Sequence, residues 1–221
     1  MLVLLQWALA IRGQAYESDI YFSHLDSSNG LSSNEITCIF KDSRGFMWFG
    51  TISNINRYDA NSFKVFQHRE NGAPFSEETV FRMSETKDGF IWITYRDKQI
   101  SVFDPQENEF HTTSEIARLL GISQEIYQVF PTTDNNLLFA DKQGNVYLYN
   151  YFSKNVTTLK NNHEQCQVSD IATYENEMYL LYVNGLLECI DLSRFETLFK
   201  SEYLHQAHPD LAAGWNMFID R

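Results

Sequence analysis

An all-β fold of stacked four-stranded propeller blades is predicted by three features of this 221-residue sequence. Aromatic residues reach 15%, with 17 Phe and 12 Tyr, and such side chains suit the half-buried surface of a pleated sheet. Short apolar runs bounded by turn residues recur in groups of four, with Trp48 and Trp92 44 residues apart. Each group closes on Asp or Asn, at 59, 104, 150 and 191, giving intervals of 45, 46 and 41. A repeat of 40–50 residues with four strands per unit is the signature of a β-propeller. A lone four-stranded sheet cannot cover both of its faces, whereas stacked sheets bury aromatic rows between them.

Residues 1–11, MLVLLQWALAI, form an apolar run, shorter than the roughly 20 residues that span a bilayer. Gly13 and Ala15 supply small residues at −3 and −1 of a cut after Ala15, which predicts a signal peptide at 1–15. That run has no Lys or Arg before it. Removing it takes Arg12 away and moves the formal charge from −12 to −13.

The first blade, roughly 31–70, reads Ile36–Phe40, an Asp42-Ser43-Arg44-Gly45 turn, Phe46–Thr51, Ile55–Tyr58 and Phe63–Phe66. The second, 76–113, runs Thr79–Met83, a Lys87-Asp88-Gly89 turn, Phe90–Thr94, Gln99–Phe103 and a short outer strand from Glu109. A short helix is expected within Thr113–Gly121, with Ser114 as its N-cap and Gly121 as the stop. The third blade, 124–160, holds Tyr127–Phe130, a turn at 134–136, Leu137–Ala140 and Gly144–Tyr149. The fourth, 166–201, holds Val168–Thr173, Met178–Tyr182 and Leu186–Ile190. Trp215–Arg221 is the expected inner strand of a fifth blade starting near 214, so residues 16–221 form the N-terminal part of an incomplete propeller.

A formal charge of −12 repels phosphate backbones and argues against nucleic-acid partners and anionic membrane surfaces. It leaves a neutral ligand such as a sugar open. Cys38, Cys166 and Cys189 form no CxxC motif. They read as small buried hydrophobes, although an oxidising compartment would permit one disulfide. No GxSxG elbow, Walker loop or HExxH motif occurs. His205 and His208 form an HxxH pair without an acidic or Cys partner at ligand spacing, and Glu77 and Glu78 point apart on an extended chain. No metal site, cofactor or catalytic residue is therefore assigned. Glycosidase carboxylates could come from different blades, a pairing that spacing does not reveal.

Gly30-Leu31-Ser32-Ser33-Asn34-Glu35-Ile36, Asp42-Ser43-Arg44-Gly45-Phe46-Met47-Trp48-Phe49-Gly50-Thr51 and Asn56-Arg57-Tyr58-Asp59 resemble the two-component regulator propeller repeat. The second blade keeps Asp88-Gly89, Trp92-Ile93-Thr94 and Asp104, while the third and fourth keep spacing more than letters. Where such repeats carry Gly-Leu after the Gly-Thr strand, this sequence has Ser53-Asn54-Ile55. Asn tolerates left-handed geometry, so the turn survives.

The resemblance implies the extracytoplasmic, periplasmic sensor of a hybrid histidine kinase from a polysaccharide-digesting Gram-negative bacterium. In such proteins two seven-bladed propellers precede an immunoglobulin-like module, a membrane helix, and kinase and regulator domains. It implies an oligosaccharide ligand, signalling as a homodimer, and dependence on further blades and a kinase. No kinase part lies in this chain. Ligands of propellers meet the loops at one channel end, where the loops between second and third strands join those entering each blade. Asn34, Asn54, Glu78, Tyr95, Arg96 and Lys142 are the resulting ligand-binding candidates. An aromatic ring with amide and charged groups suits a sugar's CH faces and hydroxyls. Two rivals stand beside the sensor: a propeller glycoside hydrolase or lyase, and a protein-interaction scaffold.

Overall fold

A computed structural model describes residues 23–52, 54–66, 69–70, 73–74, 79–130, 132, 136–160, 166–202, 206 and 217. The expected signal peptide lies outside these residues, as does the fifth-blade strand except for Met217.

Four antiparallel four-stranded sheets follow one another along the chain, each a meander in sequence order. The first contains β1 (Ile36–Lys41), β2 (Met47–Thr51), β3 (Ile55–Tyr58) and β4 (Phe63–Phe66). A two-stranded ribbon, β5 (Arg69–Glu70) and β6 (Ala73–Pro74), comes next. The second sheet is β7 (Val80–Glu85), β8 (Ile91–Tyr95), β9 (Ile100–Asp104) and β10 (Glu109–Thr112). After helix α1 (Thr113–Leu120) come β11 (Gln128–Phe130), β12 (Asn136–Ala140), β13 (Val146–Asn150) and β14 (Asn155–Lys160). The fourth sheet is β15 (Val168–Tyr174), β16 (Glu177–Tyr182), β17 (Leu187–Asp191) and β18 (Glu196–Ser201).

The sheets stack face to face, which is why their middle strands read as almost unbroken apolar runs. In β8, Ile91 and Ile93 join Trp48, Phe66 and Met83 in a core shared with the first sheet. Trp92, between them in sequence, points the other way, into a core with Leu137, Phe139 and Tyr149 of the third. Period-two alternation thus sorts neighbouring residues into different interfaces. Leu138, Val146 and Leu159 meet Val168, Met178 and Leu180 in a third such core. Each large side chain buried in these layers contributes about 1.5–3 kcal/mol.

The recurring polar letters are turn devices. Asp59, Asp104, Asn150 and Asp191 each use Oδ1 to accept backbone N–H groups of the turn between the third and fourth strands of their blade. The short polar side chain takes over hydrogen bonds that the ladder leaves open. Between the first two strands of blade one, Asp42 accepts the amides of Arg44 and Phe46, and its other oxygen takes the Trp48 indole N–H at 2.9 Å. Thr86 does the same for Trp92 at 3.0 Å. Gly45 and Gly89 complete these turns at φ of 93° and 85°, where a Cβ would be strained. Gly50 answers a different need. A Cβ there would meet Cys38 Sγ at 2.6 Å and Val80 Cγ1 at 2.7 Å, so glycine lets β2 lie close against β7.

Two local expectations shift. Thr112, rather than Ser114, caps α1: its hydroxyl accepts the Glu115 amide while Glu115 reaches back to the Thr112 amide. This reciprocal box requires a hydroxyl three residues before an acid, and Ser114 lies one residue before Glu115. Gly144 and Asn145 belong to a turn, with strand structure starting at Val146, because Asp141 binds the Asn145 amide and side chain. The three cysteines are free thiols, and burial pushes those of Cys38 and Cys189 upward.

Candidate functional site

The turns between second and third strands and the segments entering each blade converge at one end of the sheets. Between blades two and three they enclose a hollow of about 280 Å³. The β8–β9 turn supplies Asp97, Lys98 and Gln99; the segment entering blade three supplies Glu125 and Tyr127; the β12–β13 turn supplies Lys142. The turns are tight because they close on their own backbone: the Tyr95 amide donates to the Gln99 carbonyl at 2.9 Å, and the Asp141 amide to the Asn145 carbonyl at 3.1 Å. Lys142 Nζ reaches Glu125 Oε1 at 2.8 Å and sits 5.8 Å from the centre of the Tyr127 ring. The hydrogen bond and charge of Glu125 hold the Lys142 ammonium above its ordinary pKa. The rim therefore combines a half-buried aromatic ring, an amide, two carboxylates and two ammonium groups.

The six sequence candidates separate in the structure. Lys142 lines this hollow. Arg96 is exposed beside it, and its amide ties the turn to the Thr79 carbonyl at 2.9 Å. Tyr95 lies in the core, 5% exposed, with its hydroxyl 3.1 Å from Ser101 Oγ. Burial pushes that phenol upward, and a ring so covered offers no face to a sugar. Asn54 closes the β2–β3 turn through its backbone, its carbonyl accepting the Thr51 amide and its amide donating to Thr51 Oγ1. Asn34 accepts the Ser27 amide at 2.8 Å and holds the 3-10 turn preceding β1. Glu78 lies outside the described residues. Sequence reasoning passed over Asp97, Gln99, Glu125 and Tyr127. A reading that took whole turns as units would have found Asp97 and Gln99, but Glu125 and Tyr127 enter through the fold of the connection after α1.

Inner strands meet a second polar constellation. Arg82 on β7 reaches past the third sheet to Asp170 on β15, with Nη1–Oδ1 and Nη2–Oδ2 distances of 3.1 and 3.3 Å. Asp170 is 3% exposed and also accepts the amides of Ile171 and Met217. Arg82 and Asp170 each follow an irregularity in the pairing of their blade's first two strands, and β1 has another between Ile36 and Cys38. The bulge turns the following side chain out of the ladder.

Glu188 of β17 is fully buried and hydrogen-bonded by Lys160 Nζ at 2.8 Å, Thr197 Oγ1 at 2.6 Å and Tyr182 Oη at 3.1 Å. Burial works to raise its pKa, but the hydrogen bonds from Lys160 and Thr197 and the charges of Lys160 and Lys200 hold it below the usual carboxylate value. This network ties blades three and four.

Residues 30–53, which include the first two strands of blade one, match the family model described as "Two component regulator propeller". A curated histidine kinase P4 of Formosa agariphila is 32% identical over 66 residues, covering 30% of this chain and 5% of the kinase. The chain superposes on the extracellular domain of a protein described as a hybrid two component system, BT3049 of B. thetaiotaomicron, with a TM-score of 0.57 at 15% identity. That match takes in 86% of this chain and 27% of the other. Virginiamycin B lyase of Staphylococcus aureus matches at a TM-score of 0.50 and 15% identity, over 78% of this chain and 57% of the lyase. The four sheets are thus propeller blades, and the chain spans a small part of the histidine kinase and of the hybrid two component system domain that it matches. Among the described residues, no helix is long and apolar enough to cross a membrane.

Proposed function

We propose that this chain is a ligand-sensing propeller segment from the periplasmic part of a hybrid two-component regulator, and that its ligand is a glycan fragment. The observation that carries the reading is the first blade. Its Asp42–Trp48 turn, Gly50 packing point and Asp59 closure fall in and beside a segment that matches a regulator propeller repeat. The fold likeness to the extracellular domain of BT3049 supports it.

In this reading residues 1–15 direct export and are removed, and the parent protein supplies further blades, a membrane anchor and the kinase. The segment binds and does not catalyse. The hollow around Tyr127 and Lys142 is the ligand-facing surface. Tyr127 covers an apolar sugar face, and Asp97, Gln99 and Glu125 fix hydroxyls. Asn34 and Asn54 support this end of the propeller through their turns, and Arg96 flanks it. Ligand binding is read out through a homodimer of the parent protein. A ligand that binds only the folded state raises its melting temperature.

Thermal shift of the exported protein against plant, host and microbial oligosaccharides tests the proposal. A specific sugar is expected to raise Tm, Lys142→Ala and Gln99→Ala to abolish the rise, and Lys87→Ala, on the opposite turn, to leave it. No shift across the panel would overturn the glycan assignment. The fold likeness to virginiamycin B lyase favours a second reading, a propeller lyase. Release of an unsaturated product from one of the same sugars would establish that alternative and overturn the sensor.

A further inference from the structure

On the outer edge of blade two, away from the hollow just described, β9, β10 and α1 frame a cavity of about 550 Å³. Asp104, Glu107 and His111 line it, and each offers a donor atom within 4.8 Å of the others. We propose that these three side chains bind a divalent transition-metal ion of the zinc class.

The hairpin assembles the donors. Asp104 ends β9 and pairs with Glu109, while Val102 pairs with His111, so the register puts Asp104 and His111 on one face of the sheet. Asp104 Oδ1 accepts the amides of Gln106 at 2.7 Å and Glu107 at 3.2 Å. Those bonds fix the carboxylate and fold Glu107 back over the turn. Asn108, at φ 64° and donating its amide to the Asp104 carbonyl at 2.8 Å, brings the chain round to His111. The His111 ring sits edge-on to Phe90, with centroids 6.3 Å apart and planes at 71°, which limits its rotation.

Donors sharing one ion lie roughly 3–4 Å apart, given metal–ligand bonds near 2.0–2.2 Å. A 4.8 Å spread lies about 1–2 Å beyond that range, a gap small enough for modest adjustment at the hairpin, chiefly of the exposed Glu107, to close. An imidazole nitrogen with two carboxylates suits zinc, cobalt or nickel, whereas calcium and magnesium take oxygen ligands. Three protein ligands leave a coordination position turned toward the cavity, the arrangement of open rather than closed zinc sites. Glu115, which also lines the cavity, adds negative charge beside His111.

Chelator-treated full-length chain titrated with zinc by calorimetry, and with cobalt by visible absorption, tests this. One ion per chain is expected. His111→Ala and Glu107→Gln should each weaken binding about tenfold or more, while His24→Ala and Cys38→Ser leave it unchanged, and calcium and magnesium should not compete. Glu107 is exposed, so its variant folds. Circular dichroism checks that His111→Ala does too. No binding, or binding that survives both site variants, would overturn the proposal.

Discussion

Replacing Gly50 with alanine isolates the contact that the Trp-Phe-Gly-Thr strand makes with the neighbouring blade. The added Cβ would stand 2.6 Å from Cys38 Sγ, 2.7 Å from Val80 Cγ1 and 2.9 Å from Val80 Cβ. Favourable carbon contacts lie near 3.5–4.0 Å, so three contacts fall inside that distance at once. Two of them are to a Val80 side chain that is 2% exposed and packed in the core. Relief thus requires β2 and β7 to move apart. Overpacking of this kind costs about 1–3 kcal/mol. A glycine-to-alanine change in ordinary backbone geometry returns about 0.4–1 kcal/mol by restricting the unfolded chain. The net expectation is a loss of about 1–2 kcal/mol. Urea unfolding followed by tryptophan fluorescence reads it as a lower midpoint at unchanged slope. Adding Cys38→Ala removes the sulfur collision, so the double variant should be more stable than the sum of the two single changes allows. A Gly50→Ala protein as stable as the parent, or strict additivity with Cys38→Ala, would refute the close-approach argument.

Other outcomes follow from the buried polar groups. Trp48→Phe removes a hydrogen bond to a buried carboxylate and should cost about 2–4 kcal/mol, whereas Trp92→Phe, whose partner is a hydroxyl, should cost less, as paired denaturation curves would show. Burial raises the Asp88 pKa, outweighing the hydrogen bond that its carboxylate accepts from Thr86. Its ionisation therefore opposes folding at neutral pH, and this penalty disappears as pH falls through the raised folded-state pKa. Asp88→Asn should raise Tm at pH 7, with the gain vanishing under acid. Glu188 behaves in the opposite sense. Its folded pKa is lowered, so its contribution is complete above the unfolded value of 4.5 and is lost as pH falls through the lower folded value. Glu188→Gln should destabilise the neutral protein by about 3 kcal/mol, because Lys160 loses its counter-charge, and should make the acid limb of a Tm–pH profile shallower.

The fold was legible because each blade spells its own turn chemistry and its own alternation. Asp42, Asp59, Asp104, Asn150 and Asp191 act through contacts within a few residues, and such contacts survive in a linear reading. Trp48 and Trp92 were legible for the same reason, since two stacked sheets need large rings between them. The candidate site was less so. Choosing residues by loop position found Lys142 and the turn containing Arg96, but it could not tell that Tyr95 points inward, because a tyrosine closing a strand has the same letter whether its ring is buried or exposed. Glu125 and Tyr127 reach Lys142 only through the path of the chain after α1. The Asp104, Glu107 and His111 cluster escaped notice because its donors meet across a hairpin register, and metal motifs were sought only at fixed spacings.

The Arg82–Asp170 pair has a consequence for how this array comes apart. In a row of stacked units that touch only their immediate neighbours, stability is a sum of unit and nearest-interface energies, and the row can fray one unit at a time. A guanidinium that reaches over an intervening unit adds a second-neighbour coupling. Blade three cannot leave while its two neighbours stay clasped, so three units share one fate. Blades two, three and four therefore melt as one block.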